Sequence, residues 1–458
     1  MKHIFARKAA LAAAWLSVAV TFSHNLHAQD TTRVQQLDLQ LPLVDFPQTS
    51  KLAHHYPSMQ QSLTLSNTMY DLSFRGIDAA ANAVFGKPGT ENSRGKRILS
   101  ASVRYGAGLA FARYGSELPI PLGVWAHEEF HRAVLGVNGI SSKNGNWIGS
   151  RWDGTVFGVS DDQLATMKRE NLSGLLYAYV AGVQSEVLST RTNVVHDTYT
   201  KRSFYKNPLY AYNAWYTWNY FRFATSSASD SVKVLAPPHE SVNASDRDFA
   251  GSDLNAWVYD MFSPNAPFSN RDDFPNGEGE NRRLGYSDLS HEAQNYLQKQ
   301  KKLALLNFLN PAIFCINRFS TDGLAFNVFF QYAPTHFGND ISIVVPVWTK
   351  KNNLLFAIHN YNNHTDPFFG AEFGIVDKPI GEKFRLSAIA HAWSQPENFY
   401  AMNGNAGGAM ELDGSFAFTR NLSVTAGITA KSKGWMAGNP YLAQNISCRA
   451  GLSWSVWQ

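Results

Sequence analysis

Apolar and polar residues alternate with a period of two along the C-terminal part of the chain, after Asp322. This alternation is typical of β-strands with one apolar and one polar face. It predicts about eight strands with short polar connections, and therefore an antiparallel β domain over residues 321–458. The predicted strands lie at 327–333, 340–348, 353–361, 369–375, 383–393, 410–418, 422–431 and 446–456.

In the middle of the chain, apolar residues instead recur at steps of three and four, which predicts helices. One helix is predicted from Leu118 to Gly136. Pro119 and Pro121 lie at its start, where a missing backbone N–H costs little. Further helices are predicted over residues 161–191 and 287–309.

These helices make residues 29–320 a mainly helical domain, so the fold class is α+β. Within this domain, the aromatic-rich segment 204–223 is expected to pack in the core. The segment 226–283 is rich in Ser, Asn, Asp and Pro, and it is expected to run over the surface.

The N-terminus has the composition of a secretory signal. Lys2, Arg7 and Lys8 precede a short apolar run over residues 9–22. This run is too short for a membrane-spanning helix, so residues 1–28 are predicted to be a signal peptide. The mature protein is therefore expected in the cell envelope of a bacterium.

Composition narrows the classes of function. The 458 residues include 17% charged and 13% aromatic residues, with a net charge of only +4. A small, unclustered basic excess argues against nucleic-acid binding. Cys315 and Cys448 are too few for a disulfide scaffold, and they are either one bridge or two isolated thiols.

Strands with one apolar and one polar face occur in two architectures. An outer-membrane barrel turns its apolar face to lipid, whereas a soluble sandwich turns that face inward. The last strand, ending at Trp457, resembles the C-terminal strand of outer-membrane barrels, although Gln458 departs from an aromatic last residue. We therefore expect an outer-membrane barrel, with the soluble β domain as the alternative.

The strongest chemical signal is the sequence His127-Glu-Glu-Phe-His131, an H-E-x-x-H motif inside the predicted helix. One helical turn separates the two His residues, so both imidazoles project from one face and are able to share a Zn²⁺ ion. Glu128 is adjacent and is placed to take a proton from water. The alternative is a pair of surface His residues on an amphipathic helix.

At this motif the chain resembles the zinc metallopeptidases of the zincin group. The metzincin branch has Gly three residues and His six residues after the second His, where this chain has Val134 and Val137. The gluzincin branch remains, and this resemblance implies that a Glu from a later helix is the third zinc ligand.

Glu186 is the best candidate for that ligand, because it lies on the apolar stripe of the helix predicted after Asp161. A carboxylate there is costly unless it is paired or binds a metal. The alternative is an ion pair with a basic residue such as Arg191. The other possible ligands are His196, Asp197 and Glu129.

The sequence thus predicts an exported zinc-dependent hydrolase, a peptidase acting on a peptide or protein substrate, with its β domain in the outer membrane. His127, His131 and Glu186 would bind Zn²⁺, and Glu128 would be the catalytic base. The alternative is a non-catalytic outer-membrane barrel protein with a structural metal or none. The oligomeric state stays open.

Overall fold

The computed structural model describes residues 35–48, 57–88, 93–145, 153–200, 204–275 and 277–457. The predicted signal peptide, residues 1–28, lies outside these ranges. Within them the chain forms nine α-helices. They are α1 (Met59–Phe85), α2 (Arg94–Ala110), α3 (Gly123–Val137), α4 (Asp161–Glu170), α5 (Leu172–Tyr199), α6 (Asn207–Ala224), α7 (Ser227–Leu235), α8 (Asp253–Phe262) and α9 (His291–Leu303).

The described residues also form thirteen β-strands. They are β1 (Gln35–Phe46), β2 (Lys143–Asn144), β3 (Val156–Phe157), β4 (Phe319–Thr321), β5 (Leu324–Phe326), β6 (Phe329–Thr335), β7 (Gly338–Thr349), β8 (Asn353–Asn362), β9 (Pro367–Ile380), β10 (Phe384–Pro396), β11 (Gly404–Ala417), β12 (Leu422–Lys431) and β13 (Asn445–Trp457). All eight predicted strands are present, as β6 to β13. The predicted α+β class is confirmed.

The large sheet is antiparallel, and most neighbouring strands are consecutive in sequence. Its order is β1, β13, β12, β11, β10, β9, β8, β7, β5, β4, and β6 pairs with β7 beside β5. Strands β2 and β3 form a separate small hairpin. Short connections between successive strands explain this meander, because antiparallel neighbours need only a tight turn.

Strand β1 was not predicted, although Leu37, Leu39, Leu41 and Leu43 recur with a period of two. It pairs with β13 along its length, with Leu41 opposite Leu452, so the first and last strands of the sheet are neighbours. The region predicted as helical, 29–320, therefore supplies one long strand to the β domain. Thr68 of α1 covers the outer edge of β1, because its hydroxyl hydrogen-bonds both the N–H and the carbonyl of Gln40.

Hydrogen bonding leaves the sheet open. Strands β1 and β4 end the pairing order, and among the described residues they do not pair with each other. The closed barrel expected from the sequence is thus not formed by these strands.

The two faces of the sheet differ in chemistry. Along β8, His359 and Tyr361 are buried, whereas Phe356 and Ile358, which precede them on the opposite face, are 40% and 60% exposed. The same outward exposure of large apolar side chains recurs on the other strands. Examples are Leu43, Phe369, Phe373, Met410, Leu412, Phe416, Ile428, Ile446 and Trp454.

Helix α5 occupies the centre of the molecule. The stretch predicted as one helix over 161–191 breaks at Asn171, whose side chain accepts a hydrogen bond from the Gly174 N–H and caps α5. Helix α5 is buried along most of its length, with contacts to α3, α6 and α8 and to strands β6 and β7. No helix in the described residues is long and apolar enough to cross a membrane.

The segment 226–283, expected on the surface, instead contributes to the core through α8. Leu254, Trp257, Val258 and Met261 of this helix are fully or almost fully buried. The Trp257 indole N–H donates to the Thr335 carbonyl of β6 at 3.0 Å. Helix α8 is thereby fixed against the sheet.

The two cysteines do not form a bridge. Cys315 and Cys448 are both free thiols, so of the two alternatives the structure has the isolated thiols.

Replacing Trp257 tests this attachment of α8. Trp257→Phe keeps a buried aromatic ring but leaves the fully buried Thr335 carbonyl without its donor. We expect a loss of about 1–3 kcal/mol in the free energy of unfolding. Trp218→Phe on α6, at a half-buried position, is the control and should stay within about 0.5 kcal/mol. Denaturant unfolding of both variants gives the comparison, and equal stabilities would contradict the attachment.

Candidate metal centre

Helix α3 holds the two His residues of the motif side by side. Their ring centroids are 4.9 Å apart, and His127 and His131 are only 3% and 1% exposed. Both side chains therefore belong to the interior, and the alternative of a surface His pair is wrong.

The two rings face α5 at Gly182, where the helices approach closely. A β-carbon built on Gly182 would lie 2.3 Å from Nε2 of His131 and 2.4 Å from Nε2 of His127. Only glycine leaves the space in front of both Nε2 atoms open. The site thus depends on the absence of a side chain at this position of α5.

Hydrogen bonds fix the outer nitrogen of each ring. Nδ1 of His131 donates to the Ala178 carbonyl at 2.5 Å, and Nδ1 of His127 donates to Glu186 at 3.2 Å. Both partners belong to α5. With the protons held at Nδ1, the Nε2 lone pairs are available to a metal, and this is the usual arrangement of metal-binding imidazoles.

A third group, Asp253, completes the cluster. Its Oδ2 atom lies 3.4 Å from Nε2 of His127 and 3.3 Å from Nε2 of His131. Ligands about 2.0–2.1 Å from a tetrahedral ion lie about 3.3–3.4 Å from one another. The three donor atoms therefore fit a single divalent cation in size, chemistry and burial.

Helix α6 provides aromatic support for this cluster. The Tyr220 hydroxyl donates to Oδ2 of Asp253 at 2.7 Å, and the Tyr216 ring meets His127 edge to face at 6.0 Å. The aromatic segment 204–223 was expected to be core. Its buried residues confirm that expectation, and two of its tyrosines also touch the metal-ligand group.

Glu128 lies in the same buried region, with 8% exposure. Burial raises its pKa well above the ordinary value; the His127 side chain opposes this shift, and the carboxylate of Asp253 adds to it. A carboxyl with a raised pKa is suited to exchange a proton near neutral pH.

The charge balance of the region also favours a cation. Burial lowers the pKa of His127, but Glu186 and Asp253 outweigh burial and raise it well above its ordinary value. For Asp253, burial raises the pKa, but the two imidazoles lower it below the ordinary value. Three buried carboxylates thus surround two imidazoles, and a divalent ion would offset their charge.

The structure places the sequence-predicted residues as follows. His127 and His131 come together as predicted, and Glu128 lies beside them in the buried region. Glu186 contacts the site through Nδ1 of His127, on the side of the ring away from Asp253, and the described metal-ligand group does not include it. Arg191, its alternative partner, instead pairs with Glu372.

The other candidate ligands have different partners. Glu129 pairs with Arg132 and accepts a hydrogen bond from Asn144 at 3.0 Å. Asp197 accepts a hydrogen bond from the Tyr210 hydroxyl, and Nδ1 of His196 lies 3.3 Å from the Thr200 hydroxyl.

Asp253 is the site residue that the sequence analysis missed. It lies in the segment 226–283, whose Ser, Asn, Asp and Pro content suggested a surface loop. The apolar residues after it, Leu254, Trp257, Val258 and Met261, have helical spacing and were the available signal. Two arginines of this segment, Arg247 and Arg271, are buried as well.

No protein-family model matches the sequence, and no curated protein is significantly similar to it. The function is therefore inferred from the geometry of the site.

Gly182→Ala tests the space in front of the imidazoles. The new methyl group would occupy that space, so we expect loss of the bound metal. Gly76→Ala is a matched control on α1, because a β-carbon there meets no atom within 4 Å. The control should keep its metal and gain about 0.5–1 kcal/mol in stability. Metal content by mass spectrometry gives the result, and a fully loaded Gly182→Ala protein would contradict the site.

Proposed function

We propose that this protein is a zinc-dependent hydrolase that cleaves peptide bonds. The observation that carries the proposal is the position of Asp253, whose Oδ2 atom lies 3.3–3.4 Å from the Nε2 atom of each imidazole. Both imidazoles belong to the H-E-x-x-H motif of α3. Two His and one carboxylate, with a fourth position left for water or substrate, form a common catalytic zinc set. Asp253 then takes the ligand position for which the sequence favoured Glu186.

The residues of the chain divide the remaining work. Bound Zn²⁺ supplies Lewis-acid chemistry, which polarises the scissile carbonyl and acidifies water. Glu128 accepts a proton from the attacking water and later delivers it to the leaving amine. Burial raises the pKa of Glu128 above its ordinary value, which makes its carboxylate a stronger proton acceptor.

Three groups outside the ligand set orient it. Glu186 and the Ala178 carbonyl hold the two imidazoles with Nε2 towards the ion, and the Tyr220 hydroxyl holds Asp253. Such partners set the direction and the basicity of the ligands they contact. Glu186 thus has a role at the site that is distinct from direct ligation.

One observation favours the non-catalytic alternative, a structural metal. His127, His131 and Asp253 are 3%, 1% and 7% exposed, so the ligands are almost completely enclosed. Structural zinc sites are closed by four protein ligands, whereas catalytic sites keep an open position. Variants of the three carboxylates distinguish the two functions.

Glu128→Gln and Asp253→Asn should fail in different ways. Glu128→Gln keeps every ligand, so zinc should remain bound while peptide hydrolysis falls by on the order of 10²–10⁴. Asp253→Asn replaces a charged ligand by a neutral amide, so zinc content and activity should fall together. Both variants are assayed side by side for zinc and for cleavage of a peptide library.

Glu186→Gln separates ligation from orientation. As an orienting residue, it should weaken zinc binding by about 10–100-fold without abolishing it. Complete zinc loss in Glu186→Gln with zinc retained in Asp253→Asn would restore Glu186 as the third ligand. Zinc-loaded wild-type protein that cleaves no peptide would favour the structural metal.

We also propose that the sheet contacts the lipid of an outer membrane. Many large apolar side chains on its strands point outward and are exposed, whereas charged side chains such as Asp340, Glu372 and Lys431 are buried. A soluble sandwich has the opposite arrangement, with apolar side chains between its layers. The outward apolar face is what a lipid environment requires.

A single charged residue on that face tests the proposal. Ile358→Arg, at the middle of β8, should cost about 2–4 kcal/mol in a membrane, and it should reduce recovery in the carbonate-washed outer-membrane fraction. Val242→Arg, at an exposed apolar position outside the sheet, is the control and should be recovered like the wild type. Normal recovery of both variants, together with extraction of wild-type protein without detergent, would contradict membrane insertion.

A further inference from the structure

A cavity of about 1290 Å³ lies between α5 and the inner face of the sheet. We call it the vestibule. Leu188, Val195 and Tyr199 of α5 line one side, and strands β8 to β13 line much of the other. The proposed metal ligands are not among its lining residues, so it is a second candidate site.

The two ends of the vestibule differ. At one end, exposed lining residues belong to the short turns 350–352, 381–383 and 418–421. At the other end, the wall is formed by buried Met436 and by Gln60, whose amide donates to the Gly438 carbonyl at 2.9 Å. We therefore identify the turn end as the mouth.

The charged residues on the inner wall neutralise one another. Guanidinium and imidazole groups there are paired with carboxylates, so the wall offers polar contacts but little free charge. The pairs are Arg191 with Glu372, Arg449 with Asp413, and His391 with Glu411.

The mouth has a different balance. Lys350, Lys351, Lys383 and Arg420 line it and are exposed, and none of them forms an ion pair with a carboxylate in the described part of the chain. Lys378 and Arg385 also line it, so among the described lining residues at the mouth six cations face the carboxylates of Asp377 and Glu382, which is a net charge of +4. The basic residues, which the sequence analysis expected to be unclustered, thus form a local cluster at the mouth.

We propose that the mouth of the vestibule binds an acidic segment of a polypeptide. Unpaired like charges at the rim repel one another, and an anionic ligand relieves this repulsion. Low-dielectric walls around a basic mouth also focus the field and attract anions.

The size and chemistry of the cavity favour a peptide over other anions. Its volume exceeds the roughly 300–1,000 Å³ of ordinary small-molecule pockets, so it has space for a chain segment. Beyond the mouth the charges of the wall are paired, so the ligand needs anionic groups only where it meets the mouth. The paired charges of the wall also offer hydrogen bonds to peptide groups.

Fluorescent deca-glutamate binding to the full-length, detergent-solubilised protein tests the proposal. We compare the wild type with a variant in which Lys350, Lys351, Lys383 and Arg420 are all changed to Gln. We expect Kd to rise at least tenfold in this variant and wild-type binding to weaken with added NaCl. Bound deca-glutamate should also protect the mouth lysines from amine-modifying reagents, as read by mass spectrometry.

The matched control changes four exposed cations elsewhere, Lys96, Arg97, Lys299 and Lys302, to Gln. It removes the same charge and should bind like the wild type. Equal weakening in both variants would show a general charge effect and overturn the proposal, as would unchanged binding in the mouth variant. Binding of phosphatidylglycerol vesicles without binding of deca-glutamate would also overturn it and would indicate a lipid-facing rim. Protein treated with a metal chelator should bind deca-glutamate with the same Kd. A failure of this proposal is therefore distinguishable from a failure of the proposed metal centre.

Discussion

The close approach of α3 and α5 at Gly182 is the constraint on which the candidate site depends. It brings both imidazoles within reach of the backbone and carboxylate acceptors of α5, and so fixes which nitrogen of each ring carries the proton. The third donor comes from α8, and α8 is fixed by the hydrogen bond from Trp257 to β6. The position of Asp253 relative to the imidazoles therefore depends on the sheet as well as on the helices. A local motif of five residues becomes a metal centre only through contacts that are distant in sequence.

The sheet and the helical region are joined through polar contacts. The Gln184 amide of α5 donates to the Pro334 carbonyl at 2.7 Å, and the Gln331 amide of β6 donates to the Val187 carbonyl at 3.1 Å. Buried polar groups are costly unless they find such partners. Strand β6 supplies these partners, and it also packs apolar side chains such as Phe329 and Tyr332 into the core. The interface between α5 and the sheet is therefore both polar and apolar, while large apolar side chains on other strands point outward.

Much of this fold could be predicted from the sequence, because its strongest patterns are local. Strands such as β12 show uninterrupted alternation, and α3 combines apolar periodicity with prolines at its approach. Strand β1 also alternates, at Leu37, Leu39, Leu41 and Leu43, but it precedes the helices as a single strand, and its pairing with β13 joins residues at opposite ends of the chain. Asp253 was missed because the polar composition around it outweighed the helical spacing of the apolar residues that follow it. Whether Glu186 binds the metal or a ligand cannot be read from its helical position, since both roles require a buried carboxylate facing His127.

The electrostatics of the centre link its burial to its chemistry. A metal ion and a proton compete for the same lone pair on Nε2 of His127, and the nearby carboxylates stabilise either positive charge. Metal binding must therefore displace this proton, and the affinity for metal falls as pH decreases. Two influences oppose each other at Glu128. Burial favours its neutral form, and a nearby cation favours its carboxylate. The same ion that organises the ligands would thus bring Glu128 into the charged state that a general base requires.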